Sequence, residues 1–215
     1  MIPQGESTNS FYRSNQLSLD YAYEKKGKTL SAALFGKNTQ RESGRDRIYG
    51  AEVAADVRWS SKLRTQVSYT YLNAMVQDDG GSHTSPYDLN YFVRGSASYQ
   101  FAPPWTLSAI FLHRQGTYYA PVTGRGWDDD LQVYAPQYSP ADQSLRLPDY
   151  NTVDINLARV WPLSEKLSAV AFGSVNNLLN NRNVRTVNHS QDYSTEFYEL
   201  FSQRTIYFGV VLQWQ

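Results

Sequence analysis

Three histidines, one run of aspartates and a complete lack of cysteine set the limits of the chemistry available to this 215-residue chain. His83, His113 and His189 stand far apart, and none lies in a metal-ligand spacing. His83 has Ser82 and Ser85 beside it, the residue types of a nucleophile and its base. No G-x-S-x-G elbow or comparable motif presents a serine at a strained turn, so hydrolysis is not expected. Asp128-Asp129-Asp130, next to Trp127, offers oxygen ligands of the kind calcium takes. Three adjacent carboxylates cannot all turn toward one ion, and a solvated acidic loop is the simpler expectation. Without cysteine there is no thiol nucleophile, no cysteine zinc site and no disulfide framework. The residues predict no enzyme, no metal and no cofactor.

Binding chemistry is better represented. The polar stretch 120–149 carries Trp127, Tyr134 and Tyr138. Aromatic rings offer large contact area at little cost in conformational entropy, which suits recognition of a solute. The alternative is that the rings fold the loop on itself, and both readings stay open. Lysine plus arginine equals aspartate plus glutamate at 20 each, which removes the basic excess a nucleic-acid partner requires. Aromatic and basic residues interleave from Arg182 to Tyr198, but carboxylates intervene there too.

The elements that carry these residues announce themselves by alternation. Nine stretches repeat with period two, as strands with two unlike faces require. Leu17, Leu19, Tyr21 and Tyr23 oppose Ser18, Asp20 and Glu24; Leu30, Ala32 and Leu34 oppose Thr29 and Ser31. The cleanest sets Tyr49 to Trp59, at odd positions, against Gly50, Glu52, Asp56 and Arg58. Further stretches begin at Leu63, Tyr91, Trp105 and Val153, with Arg64, Arg94 and Asp154 among their polar positions. Arg159 is an exception on the apolar side. The stretch from Leu167 to Asn177 is ambiguous, because Val170 and Phe172 share parity with Ser168 and Ser174; the last runs from Thr205 to Trp214.

Connections alternate between short turns near residues 25–28, 60–62, 102–104 and 162–165 and long polar loops near 38–47, 77–90, 120–149 and 178–203. Trp59, Trp105, Trp161 and Trp214 all fall at the short-turn end, and the terminal Gln215 emerges there as well. Indole concentrates where hydrocarbon meets water, so this placement predicts an aromatic girdle on the periplasmic rim of a transmembrane β-barrel. Mean hydropathy is −0.55 and no apolar run reaches the ~20 residues of a spanning helix, but barrel strands show lipid only every second side chain. A soluble sandwich is the alternative, disfavoured by strand length, loop alternation and a polar face rich in Ser, Thr, Gln, Asp and Arg. The expectation is all-β: an antiparallel meander of about nine long strands.

Several short motifs then carry a resemblance. Val175-Asn176-Asn177-Leu178-Leu179-Asn180-Asn181 resembles the strand-end signature near the C-terminus of TonB-dependent outer-membrane receptors. Leu147-Pro148-Asp149-Tyr150-Asn151-Thr152-Val153-Asp154 is similar to the opening of the preceding strand in that family, and Ile48-Tyr49-Gly50-Ala51-Glu52-Val53 to its hydrophobic-x-G-x-E strand start. Arg204 to Trp214 resembles the closing strand, although the family commonly ends on an aromatic and here Gln215 follows the ring. Barrels of this class have roughly twenty-two strands, so the resemblance implies that residues 1–215 are the last nine of them. The plug domain and the TonB-contacting segment have no counterpart here. Met-Ile-Pro-Gln-Gly-Glu is not a signal peptide, so a fragment of a longer chain is expected.

The resemblance implies transport rather than catalysis: uptake of a ferric siderophore, cobalamin or glycan across the outer membrane of a Gram-negative bacterium. The implied partners are outer-membrane lipid, the remaining strands, the plug, TonB through that plug, and a small solute; no nucleic acid is implied. Glu52, Asp56, Arg58, Arg64, Arg94 and Asp154 are then lumen-facing residues that hold the plug. A passive channel or an adhesin-like barrel is the alternative, and a lipid-modifying barrel enzyme built on His83 is a third.

Overall fold

The computed structural model describes residues 13–41, 44–79, 81–85 and 87–214. The opening hexapeptide and Gln215 lie outside the described residues. Nine long strands form one antiparallel sheet in chain order: β1 Arg13–Lys25, β2 Lys28–Arg41, β3 Gly44–Arg58, β4 Leu63–Asp78, β5 Leu89–Ala102, β6 Trp105–Arg114, β7 Tyr150–Pro162, β8 Leu167–Asn176 and β9 Thr205–Trp214. Each alternating stretch becomes one of these strands. A short strand, Gly81–Thr84, pairs back on β4.

Register makes one continuous apolar face. Tyr21 pairs with Ala32, Ala32 with Val53, and Val53 with Tyr69. Tyr69 pairs with Val93; farther along, Leu107 pairs with Leu157, Leu157 with Gly173, and Gly173 with Phe208. A slip of one residue at any seam would turn that strand's apolar set to the other side. Nothing in the described residues covers this face. Phe208 is 88% exposed, and among the described residues the buried hydrophobics are only Ala74, Leu147, Ala169 and Val184. A sandwich needs a second layer packed on its apolar side, so the soluble alternative does not describe this chain.

The short turns have local causes. Lys26 and Gly27 both take positive φ, as the two-residue turn joining β1 to β2 demands. Ser60 Oγ accepts from the backbone N–H groups of Lys62 and Leu63, at 3.1 Å each, to close the turn from β3 to β4. Two glycines are needed for close approach. A Cβ at Gly50 would lie 2.5 Å from the ring of Phe35, and one at Gly209 would lie 2.9 Å from that of Phe172. Each ring thus lies over a bare backbone on the neighbouring strand, the arrangement known as aromatic rescue. It assigns the ambiguous stretch: Phe172 and Val170 share the polar face with Ser168 and Ser174, and the apolar face of β8 is Leu167, Ala169, Ala171, Gly173 and Val175.

The expected loop at 38–47 is a correction. Asn38 pairs with Arg47, Thr39 with Asp46 and Gln40 with Arg45, so β2 and β3 run on almost to their junction. Polar residues alternate there without an apolar partner row, and backbone pairing alone extends the ladder. The loops at 120–149 and 178–203 contain ribbons of their own, Val122–Asp128 with Val133–Tyr138 and Val184–His189 with Glu196–Leu200.

Candidate functional site

Polar side chains gather on the face opposite the apolar one. Arg64 clamps Asp56 across the β3–β4 seam with both Nε and Nη2, the planar fork geometry that suits guanidinium to carboxylate. Gln66 Nε2 donates to the same carboxylate at 3.0 Å, and Ser96 Oγ on β5 donates to Gln66 at 3.3 Å. Thr70 donates to Glu52 at 3.3 Å. Glu52, Asp56, Gln66 and Ser96 line an open groove of about 300 Å³ together with Arg94. Arg58 sits directly opposite Arg64, so two like charges flank Asp56. Asp154 lies apart, on β7, where its Oδ1 accepts from Thr152 and from the backbone N–H of Asn177. The charged positions thus divide into a cluster on β3–β5 and a structural carboxylate on β7.

The four tryptophans share one end of the sheet. Trp105 opposes Arg159, Trp161 opposes Ala169 and Trp214 opposes Leu167, each within a few residues of a short turn. Trp59 lies just past β3 and donates its Nε1–H to Thr65 at 2.8 Å.

At the other end are the loop residues. Trp127 and Tyr134 face each other across a ribbon, with ring centroids 5.0 Å apart in an edge-on arrangement. Arg125 lies 5.0 Å above the Tyr134 ring. Tyr138, at the base of the same ribbon, does not join them. Asp128 Oδ1 accepts from the backbone N–H groups of Asp130 and Leu131, so it caps the turn. The three histidines occupy separate places. His83 is 3.9 Å from Asp78, His113 stacks between Tyr91 and Phe111, and His189 rests against Tyr193. Ser85 Oγ, beside His83 in sequence, accepts from the Tyr87 N–H instead.

Two devices escaped sequence reading. Asp88, 2% exposed, accepts from Ala74 N–H and from Arg146, tying the β4–β5 connection to the base of the 115–149 loop. The second is a clasp between ribbons. Arg125 Nη1 donates to both the carbonyl and the carboxylate of Asp192, at 2.5 and 2.7 Å. Ser190 and Ser194 donate to that carboxylate as well, and these hydroxyls, ahead of Arg125, hold its pKa well below the ordinary 3.8. Folding lowers the pKa, so the clasp's contribution is complete above the usual carboxylate range and fades as pH falls through the folded value. Probes at residues 129 and 193 should keep their separation at pH 4 and drift apart only in stronger acid. Separation that opens around pH 4 to 5 contradicts this.

The motif residues have structural work of their own. Asn177, at φ 50°, closes the end of β8: its amide donates to the Asn181 and Ser202 carbonyls and accepts from Asn181 N–H. Asn183 accepts from and donates to the Asn151 backbone, and Asp149 accepts from Tyr91 and Gly116.

An antiparallel meander with one uncovered apolar face, one charged face and four tryptophans gathered at one end is the architecture of part of a β-barrel. The chain belongs to the "TonB dependent receptor-like, beta-barrel" family, which matches it over residues 6–178. No curated protein matches it by sequence. Among solved structures it is similar to the ferric yersiniabactin uptake receptor FyuA of Yersinia pestis (16% identity, TM-score 0.68, 95% of this chain and 30% of that one). It is also similar to the ferric-catecholate import receptor Fiu of E. coli K12 (18%, TM-score 0.64, 100% and 30%). The FrpB iron transporter of Neisseria meningitidis gives 15%, TM-score 0.65, 95% and 31%. The chain spans about a third of the length of each.

Proposed function

We propose that residues 1–215 are the C-terminal wall segment of an outer-membrane receptor that takes up a scarce solute in a Gram-negative bacterium. The observation that carries this reading is the unbroken, uncovered apolar face, running from Leu17 on β1 to Trp214 on β9, in a chain of this family. That face meets lipid, and the tryptophan end lies at the periplasmic rim. The wall completes a barrel of roughly twenty-two strands with strands outside this chain. Glu52, Asp56, Arg58, Arg64 and Arg94 face the lumen, where their charges hold a plug domain through which TonB delivers energy. Trp127, Tyr134 and Tyr138 belong to the outer mouth and contact the solute. Three similar structures are named as a ferric yersiniabactin uptake receptor, a ferric-catecholate import receptor and an iron transporter, which favours an iron chelate over cobalamin or a glycan.

Uptake of radio-iron chelates by iron-starved cells tests this reading. Cells with the intact gene should accumulate the chelate, and loss of either the gene or TonB should abolish accumulation. Entry that persists without TonB is the behaviour of a passive channel and would decide for that alternative.

A further inference from the structure

Arg159 is the one charged side chain on the β7 apolar face, and it is held there by two indoles. Its guanidinium carbon lies 5.1 Å from the Trp105 ring centroid and 4.6 Å from that of Trp161. Cation–π contact of this kind orients a guanidinium without satisfying its N–H donors. Nε is buried with no hydrogen-bond partner, and among the described residues no carboxylate is ion-paired to Arg159. An arginine cannot shed its charge to escape this position. Its charge and its N–H donors are therefore available to an anionic partner.

The position says what that is. Arg159 pairs with Trp105 on one side and Ala171 on the other, one residue pair inward from Trp161. It therefore sits within the depth of the indole band, where headgroups meet hydrocarbon. Next to it β8 presents only Ala169, Ala171 and Gly173 toward the apolar side, between Leu157 and Trp161 on β7 and Phe208, Val210 and Leu212 on β9. A Cβ built on Gly173 meets nothing within 4 Å. The small side chains leave a shallow apolar trough that leads away from the guanidinium along the strand.

We propose that Arg159, clamped by Trp105 and Trp161, binds the phosphate of a phospholipid whose acyl chain lies in the trough over Ala171 and Gly173. Guanidinium forks match two phosphate oxygens, and the flanking indoles exclude water from the contact. A free phosphate would satisfy the charge but leave the trough empty; a phospholipid fills both. The inference rests on the reading that the apolar face stands in a membrane.

Native mass spectrometry of the full-length receptor carrying this segment, in mild detergent, provides the test. Titrated with phosphatidylglycerol, the wild-type protein should retain a lipid that Arg159→Gln binds about tenfold more weakly, the order expected when one charge-assisted contact is lost. The wild-type protein should also prefer phosphatidylglycerol to a galactosyl diacylglycerol that lacks phosphate, a comparison that needs no variant to fold. Excess inorganic phosphate should not displace the lipid. Equal retention by Arg159→Gln, no preference for the phosphate-bearing lipid, or displacement by inorganic phosphate each overturns the site. Labelling of cysteines placed at Leu157 and Val210 in cells separates the two levels. Protection from aqueous reagents with equal lipid retention sinks only the Arg159 site; free labelling sinks the membrane reading as well.

Discussion

Refolded alone into phospholipid vesicles, this chain is expected to give no folded band that shifts on boiling and to aggregate instead. The full-length receptor should give such a band. The reason lies at β1 and β9, which among the described residues each pair with one neighbour only. An antiparallel edge strand turns alternate N–H and C=O groups outward, so β1 and β9 each leave about five such pairs unmet within membrane depth. Each unmet group costs several kcal/mol where no water can reach it. The sum runs to tens of kcal/mol, against a folding stability of ~5–15 kcal/mol. The side chains tell the same story: Leu17 and Ile206 at the edges are 78% and 70% exposed, whereas Leu107 and Leu157 mid-sheet are 39% and 38%. Supplying the missing strands as a second polypeptide should restore the boiling-sensitive band. A monomeric, heat-modifiable species from residues 1–215 alone contradicts the argument.

How much of this was readable beforehand depends on which force shaped each element. Where one face is apolar, parity alone locates the strand, and all nine alternating stretches form the wall. β3 shows why: every charge from Glu52 to Arg58 has one parity, and Val53, Ala55 and Val57 have the other, with only the small Ala54 on the charged side. Where backbone pairing acts without an apolar row, the pattern is silent. The extension of β2 through Thr39 and Gln40, and the ribbons at 122–138 and 184–200, were therefore invisible. Phe172 was ambiguous because its position depends on Gly209, on another strand. Arg159 was legible as an exception but not as a contact, since its two indoles come from β6 and β7 together. Motif similarity located Asn177 and Asp149 without saying what they do; their hydrogen bonds supply that. Asp88 and Arg146, 58 residues apart, gave no signal at all, because a buried pair is defined by what surrounds it.

That pair supports the second large prediction. Asp88 Oδ1 accepts from Ala74 N–H at 2.9 Å, and Oδ2 accepts from Arg146 Nη2 at 2.5 Å. Arg146 Nη1 donates to the Asp88 and Gly116 carbonyls, and its guanidinium lies 3.9 Å from the Tyr118 ring centroid. Asp88→Ala would leave a part-buried guanidinium without its carboxylate and the Ala74 N–H without its acceptor. Breaking a buried pair from one side typically costs about 3–5 kcal/mol. The loss should fall on the segment the pair anchors, so opening of the 120–149 loop should rise roughly a hundred- to several-thousand-fold. Limited proteolysis of the receptor at Arg125 reads this directly, provided that reclosing outpaces cleavage. Asp88→Asn, which keeps an acceptor for Ala74, should cost less. Replacing both partners, as in Asp88→Leu with Arg146→Met, removes the stranded charge and should recover much of the loss despite restoring no ion pair. If Asp88→Ala leaves proteolysis unchanged, the loop is held by its ribbon and the Asp192 clasp. If the double replacement is as labile as the single, what Asp88 provides is mainly the Ala74 hydrogen bond rather than neutralisation of Arg146.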